Sequence, residues 1–110
     1  METKPIRVII GVPVSDSASM RAQTAHSIAA SIIGAEGAVV DILLRQSCDI
    51  VSNRTWLVQE AIKKGATHLF FVDCDMVFPA DVITRLLAHD KDIIGVKYNK
   101  RKFPLEQLAQ

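Results

Sequence analysis

The sequence predicts an α/β fold: three layers, α/β/α, built on a mainly parallel sheet of about four strands. Three observations lead there. Apolar runs alternate along the chain with segments of helical period, the pattern of stacked β-α-β units. The runs are nearly continuous, as in strands covered on both faces, rather than alternating apolar with polar. No repeat, low-complexity tract or linker interrupts residues 6–97. A single domain over residues 1–110 is therefore expected, with its core at 6–97 and a basic carboxyl-terminal tail at 98–110.

The elements follow in order. Val8-Ile9-Ile10-Gly11-Val12 is the first strand, and a Ser/Asp-rich turn from Pro13 to Ser19 follows it. Ala25, Ile28, Ala29, Ile32 and Ile33 recur at helical spacing, and Gly34 suits a helix stop. Ala38 to Leu44 reads as the second strand, although Asp41 interrupts it. Residues 45–51 are ambiguous, because Asp49-Ile50-Val51 fits either a short extra strand or a loop. Ser52 or Asn53 can cap the next helix, where Leu57, Val58, Ala61 and Ile62 form an apolar face and Gly65 ends it. Leu69-Phe70-Phe71-Val72 is the clearest strand. Pro79 fits the first turn of a helix carrying Val82, Ile83, Leu86 and Leu87, and Ile93-Ile94-Gly95-Val96 closes the set as the fourth strand.

Composition narrows the function classes. Hydrophobic residues make up 49% and charged residues 23% of the 110, an ordinary globular balance. A formal net charge of +1 gives no field favouring nucleic acid or an acidic membrane, and 5% aromatics is too thin for a base-stacking platform. Apolar runs are broken by charges well short of a membrane span. The two cysteines, Cys48 and Cys74, form neither a metal-ligand pair nor a disulfide framework. No nucleic-acid partner, no membrane insertion and a cytoplasmic setting are the expectations. Open sheets expose edge strands, which suggests a partner or a homo-oligomer.

In open α/β sheets, ligands bind outside the carboxyl ends of the strands. That rule selects Pro13 to Ser19, the helix start near Asn53, Asp73 to Pro79, and Lys97 onward. Asp73 and Asp75 follow four apolar residues, so they are expected to emerge at the carboxyl end of a central strand. Residues two apart in extended backbone point to the same side. Two carboxylates so placed repel unless a cation sits between them. Mn²⁺ or Mg²⁺ meets that need and keeps positions for phosphate oxygens. Asp90-Lys91-Asp92 has the same spacing but precedes a strand, where the rule predicts a solvated turn.

At these residues a resemblance appears. His68 to Asp81, with Asp73-Cys74-Asp75 at its centre, resembles the metal-binding segment of GT-A-type glycosyltransferases, family 2-like and close to the small phage and bacterial versions. Asp92 to Tyr98 resembles the strand that follows there, Ser52-Asn53-Arg54-Thr55 the Arg-Asn pair that opens a helix, and Val8 to Pro13 the first strand and its nucleotide-receiving turn. Here the order is Asn53-Arg54. The resemblance implies a Rossmann-like, nucleotide-diphosphosugar-binding half, with a nucleotide-diphosphate sugar as donor and an acceptor that the sequence does not identify. It implies Asp75 as the direct metal ligand and Asp73 near metal and ribose. The acceptor site and catalytic base of relatives come from residues further on, so the chain corresponds to their amino-terminal part, and its catalytic residues are unknown.

Each supporting residue has a plainer reading beside the functional one. Arg54 starts on the buried face of its helix, at an amino terminus that favours anions; it either grips a diphosphate or pairs with Asp73. Pro13 and Asp16 lie in the first strand-to-helix loop, where Asp16 contacts base or ribose by resemblance or caps the next helix. Lys97, Lys100, Arg101 and Lys102 read as a solvated basic cluster. Trp56 is expected to be partly buried, and Cys74 to point away from its acidic neighbours into packing. Two other functions remain open. Asp73-Cys74-Asp75-Met76-Val77 also resembles the haloacid-dehalogenase-type phosphatase pattern, with Asp73 as nucleophile and Asp75 as general acid/base. A truncated domain could instead bind nucleotide and metal without transferring sugar.

Overall fold

The computed structural model describes residues 5–15 and 19–95. Within them the order is β1 (Ile6–Val14), α1 (Ala22–Gly34), β2 (Ala38–Gln46), α2 (Ile50–Lys63), β3 (His68–Phe71) and α3 (Val82–Ala88). The strands form one parallel sheet in the order β2-β1-β3. The chain steps from β1 to one side and then back across it to the other. Right-handed crossovers put the helices of two such steps on opposite faces, and the packing shows them there. Val8, Ile10, Val12 and Val14 of β1 meet Ile28 and Ile32 of α1 and Val82, Ile83, Leu86 and Leu87 of α3. On the other face Gly11 lies against Leu57 of α2, so close that a Cβ there would come within 3.5 Å of Leu57 Cδ1 and 3.2 Å of Leu69 Cδ1. Ile9, Leu57 and Ala61 are buried on that side.

The α/β class and the parallel sheet are as the sequence predicts, and three strands rather than about four are found among the described residues. Residues 93–95 are not extended strand, and Ile93 stands 94% exposed. Val96, Asp16 and the basic cluster from Lys97 lie outside the described residues. Helix α1 also departs from its expected face. It buries Thr24, Ser27, Ile28 and Ser31, while Ile33 is 84% exposed. The reason is closeness. Small side chains let α1 approach the segment leading to α3: a Cβ on Gly34 would lie 2.6 Å from the Ala80 carbonyl oxygen, and the Ser27 hydroxyl accepts from the Phe78 N–H at 3.2 Å.

Helix α2 begins earlier than Ser52 or Asn53 would place it. Asp49 is the cap, its carboxylate accepting from the Val51 and Ser52 N–H groups, which resolves residues 45–51 into the end of β2, a short turn and a helix start. Of its expected apolar face, Leu57 and Ala61 are buried but Ile62 is 71% exposed. Gly65, at φ 76°, ends the helix in the left-handed region that glycine adopts without strain. Pro79 lies just outside α3, where its carbonyl accepts from the Val82 N–H. No helix among the described residues is long and apolar enough to cross a membrane.

Candidate functional site

The connections that leave β1 and β2 go to opposite faces, α1 on one and α2 on the other, and the start of α2 and the turn after β3 border a cleft at the carboxyl end of β1. Pro13 widens it. The Val72 N–H donates to the Gly11 carbonyl at 3.0 Å, so Gly11 and, two residues on, Pro13 turn their backbone groups toward β3. β1 pairs with β3 only as far as Gly11 and Phe71. The missing proline N–H therefore faces a strand that has already ended and leaves no partner unsatisfied. An open cleft of about 250 Å³ results, lined by Pro13, Ser15, Ile50, Arg54, Asp73, Cys74 and Asp75.

Four of the five residues singled out from the sequence thus line one cleft, and the fifth, Asp16, lies outside the described residues. The local geometry of the acidic pair differs from the expected extended backbone. Asp73 to Met76 is a turn, closed by the Met76 N–H donating to the Asp73 carbonyl at 3.2 Å. The turn is fixed at several points. The Arg21 N–H donates to the Cys74 carbonyl at 2.9 Å. Cys74, Met76 and Phe78 pack on the core, Phe78 edge-on to Phe70 with ring centroids 5.7 Å apart. Cys74 packs against the core, as expected, but it also borders the cleft together with Asp73 and Asp75. The segment after the turn lies against the core through Met76 and Phe78 instead of forming a flap over the opening.

Arg54 reaches the cleft from the first turns of α2. Its guanidinium sits 3.2 Å from an Asp73 carboxylate oxygen and 5.2 Å from the centre of the Phe71 ring. Both partners of the ion pair are about half exposed, 44% for Arg54 and 48% for Asp73. A pair in such contact with water contributes about 0–1 kcal/mol, and an exposed cation–π contact roughly 0.5–1 kcal/mol. Arg54 is held, but weakly enough for an arriving anion to draw it away. Both readings of Arg54 therefore remain compatible with the geometry.

The donor set fits a hard cation on one condition. Among the described residues no group of three or more His, Cys, Asp or Glu converges on a metal position. The protein offers two carboxylates at most, so further oxygens must come from water and ligand. Mg²⁺ and Mn²⁺ are commonly held this way, by one or two carboxylates together with substrate phosphates.

Two contributors have roles that the sequence did not reveal. Asn53 is fully buried. Its amide donates to the Val14 and Ser47 carbonyls at 3.2 and 3.3 Å, and its carbonyl accepts from the Ser47 hydroxyl at 2.6 Å. It locks the end of β1 to the start of α2, and so sets where Arg54 stands relative to Pro13. The second is Phe71, the platform under Arg54, which reads in sequence as one more apolar strand residue. Trp56, by contrast, stacks under Arg45 at 5.0 Å and does not line the cleft. No family model, no curated protein and no solved structure matches the chain.

Proposed function

We propose that this chain is the donor-binding part of a metal-dependent glycosyltransferase that takes a nucleotide-diphosphate sugar. One observation carries the reading: two carboxylates and an arginine meet at a single cleft outside the carboxyl ends of β1 and β3. Each has a task there. Asp75 and Asp73 hold Mn²⁺ or Mg²⁺, and Asp73 also supports the ribose. Arg54 moves from Asp73 to the diphosphate, where its planar donors make paired, charge-assisted hydrogen bonds. Pro13 and the loop after it receive the nucleotide. The GT-A, Rossmann-like assignment belongs to the same proposal, supported by the switch of chain direction about β1.

The reaction of this class is attack by an acceptor hydroxyl on the anomeric carbon, with the nucleoside diphosphate leaving. A bound cation would neutralise the charge that develops on the departing diphosphate. The chain's own groups bind and orient the donor.

Calorimetric titration with UDP and GDP, with and without Mn²⁺, tests the proposal. Binding of one nucleotide that requires Mn²⁺, and that Asp75→Ala weakens by roughly tenfold or more, is the expected result. Equal heats with and without the cation, or in the variant, would remove the metal role from Asp75 and the proposal with it.

A further inference from the structure

A second feature lies away from the cleft, on the outer edge of β2. This strand pairs with β1 in unbroken register for nine residues, and no second strand among the described residues joins its other edge. Proteins commonly protect such an edge with proline, lysine, a bulge or a very short strand. β2 has none of these. Charged side chains also protect edges, and its own two are one of each sign, Asp41 lying 3.6 Å from Arg7 in a half-exposed pair and Arg45 stacking over Trp56. The strand also leaves Val39 51%, Ile42 40% and Leu44 55% exposed. Its two charges, Asp41 and Arg45, are opposite in sign and four residues apart.

We propose that two copies of this chain pair antiparallel along β2, about a twofold axis at Leu43. The register follows from the residues. The Ser47 N–H donates to the Val14 carbonyl, so odd-numbered residues of β2 turn their backbone groups toward β1, and Val40, Ile42, Leu44 and Gln46 turn theirs outward. With the axis at Leu43, Ile42 of each copy faces Leu44 of the other and exchanges both backbone hydrogen bonds with it. Asp41 of each copy then faces Arg45 of the other, twice, in the non-hydrogen-bonded positions where side chains approach most closely. Shifting the axis to Ile42 sets Asp41 against Leu43 and Arg45 against Val39, with no charge matched. Shifting it to Leu44 sets Arg45 against Leu43. Only the Leu43 axis pairs every charge and buries Ile42 against Leu44. The interface is isologous and therefore closes as a dimer. Because the copies run antiparallel, their clefts open at opposite ends of one continuous sheet.

Charge reversal tests this on the full 110-residue chain, by light scattering after size-exclusion chromatography, with circular dichroism to establish that each variant is folded. Wild type should run at twice the chain mass. Asp41→Arg and Arg45→Asp each put like charges opposite one another and should run as monomers, while an equimolar mixture of the two should recover the doubled mass, because unlike copies then match. Wild type at monomer mass, or a mixture that stays monomeric, overturns the proposal. Should either variant fail to fold, Leu43→Cys in a Cys48→Ser background gives a separate reading. Cysteines across this axis are within disulfide reach, so oxidation should link the copies, and a Val39→Cys control in the same background should not link. Failure of Leu43→Cys to cross-link overturns the register. Neither outcome bears on nucleotide binding.

Discussion

Asp73-Cys74-Asp75 and Asp90-Lys91-Asp92 have one spacing and two situations. The first pair stands in a turn held by the Arg21–Cys74 backbone bond and by three side chains in the core, with an arginine alongside. The second follows α3, where the Asp90 N–H donates to the Leu87 carbonyl and Asp90 takes a left-handed φ of 50°. Asp90 ends a helix, a place where glycine or a short polar residue is usual. Spacing alone cannot make a site. The difference lies in which end of the sheet receives the pair and in what fixes its backbone.

The strongest way to break this comparison is to remove one acid from each pair. Asp75→Ala should weaken Mn²⁺-dependent nucleotide binding by roughly tenfold or more, about 1.4 kcal/mol for each decade. Asp92→Ala should leave it unchanged. Equal losses in calorimetry would mean that both pairs act only through overall charge, and the distinction between them would fall.

Next in size is the frame. Asn53→Ala deletes a buried amide that satisfies two carbonyls and one hydroxyl. Leaving such groups unpaired costs about 1–3 kcal/mol. Thermal unfolding should shift down by roughly 4–8 °C for each kcal/mol lost in a domain near this size. Ser52→Ala, one residue earlier on an exposed turn, should shift it much less. An unchanged melting temperature in Asn53→Ala would show that β1 and α2 are held in place by packing alone.

A smaller effect separates the second acidic pair from the first. Asp90→Gly relieves a left-handed residue while adding freedom to the unfolded chain, two terms of opposite sign and similar size. Stability should change by less than about 1 kcal/mol, with nucleotide binding intact. A loss of binding would assign Asp90 a role that its position after α3 does not suggest.

Much of this was legible in the sequence because it rests on apolar runs and punctuation. Val8 to Val12 and Leu69 to Val72 declared strands, the first central and the second at the sheet's edge among the described residues, Gly65 a helix end, and the position of Asp73 and Asp75 a strand exit. What sequence could not reveal depended on contacts between distant segments. The buried serines and threonine of α1 read as a polar face until Gly34 and Ala80 are seen in close approach. Asn53 resembled a cap because its true partners, Val14 and Ser47, come together only when β1 and β2 pair. Ile93 and Ile94 read as a strand from composition, yet a strand also needs an edge to join, and composition holds no record of that.

The finest test concerns a third aspartate, used entirely by backbone and hydroxyl. Asp49 accepts from the Ser52 hydroxyl at 2.8 Å and from the N–H groups of Ser52 and Val51. The Ser52 hydroxyl bond, then these N–H bonds, hold its pKa below the ordinary 3.8. All three bonds favour the ionised form. A folded-state pKa below the unfolded one means that the unfolded chain binds the proton more readily. The stabilisation is thus present above the unfolded value and is lost as pH falls through the folded one. Asp49→Asn keeps a cap oxygen but has no charge to lose. Its melting temperature should lie slightly below wild type at pH 7, and the gap should narrow as pH falls from the unfolded value through the lower folded one, where the folded carboxylate is protonated too. A gap that stays constant across this range would assign the cap's contribution to hydrogen-bond geometry alone. Arg54, which enters the cleft one turn after this cap, would then owe its position to Asn53 and not to the charge on Asp49.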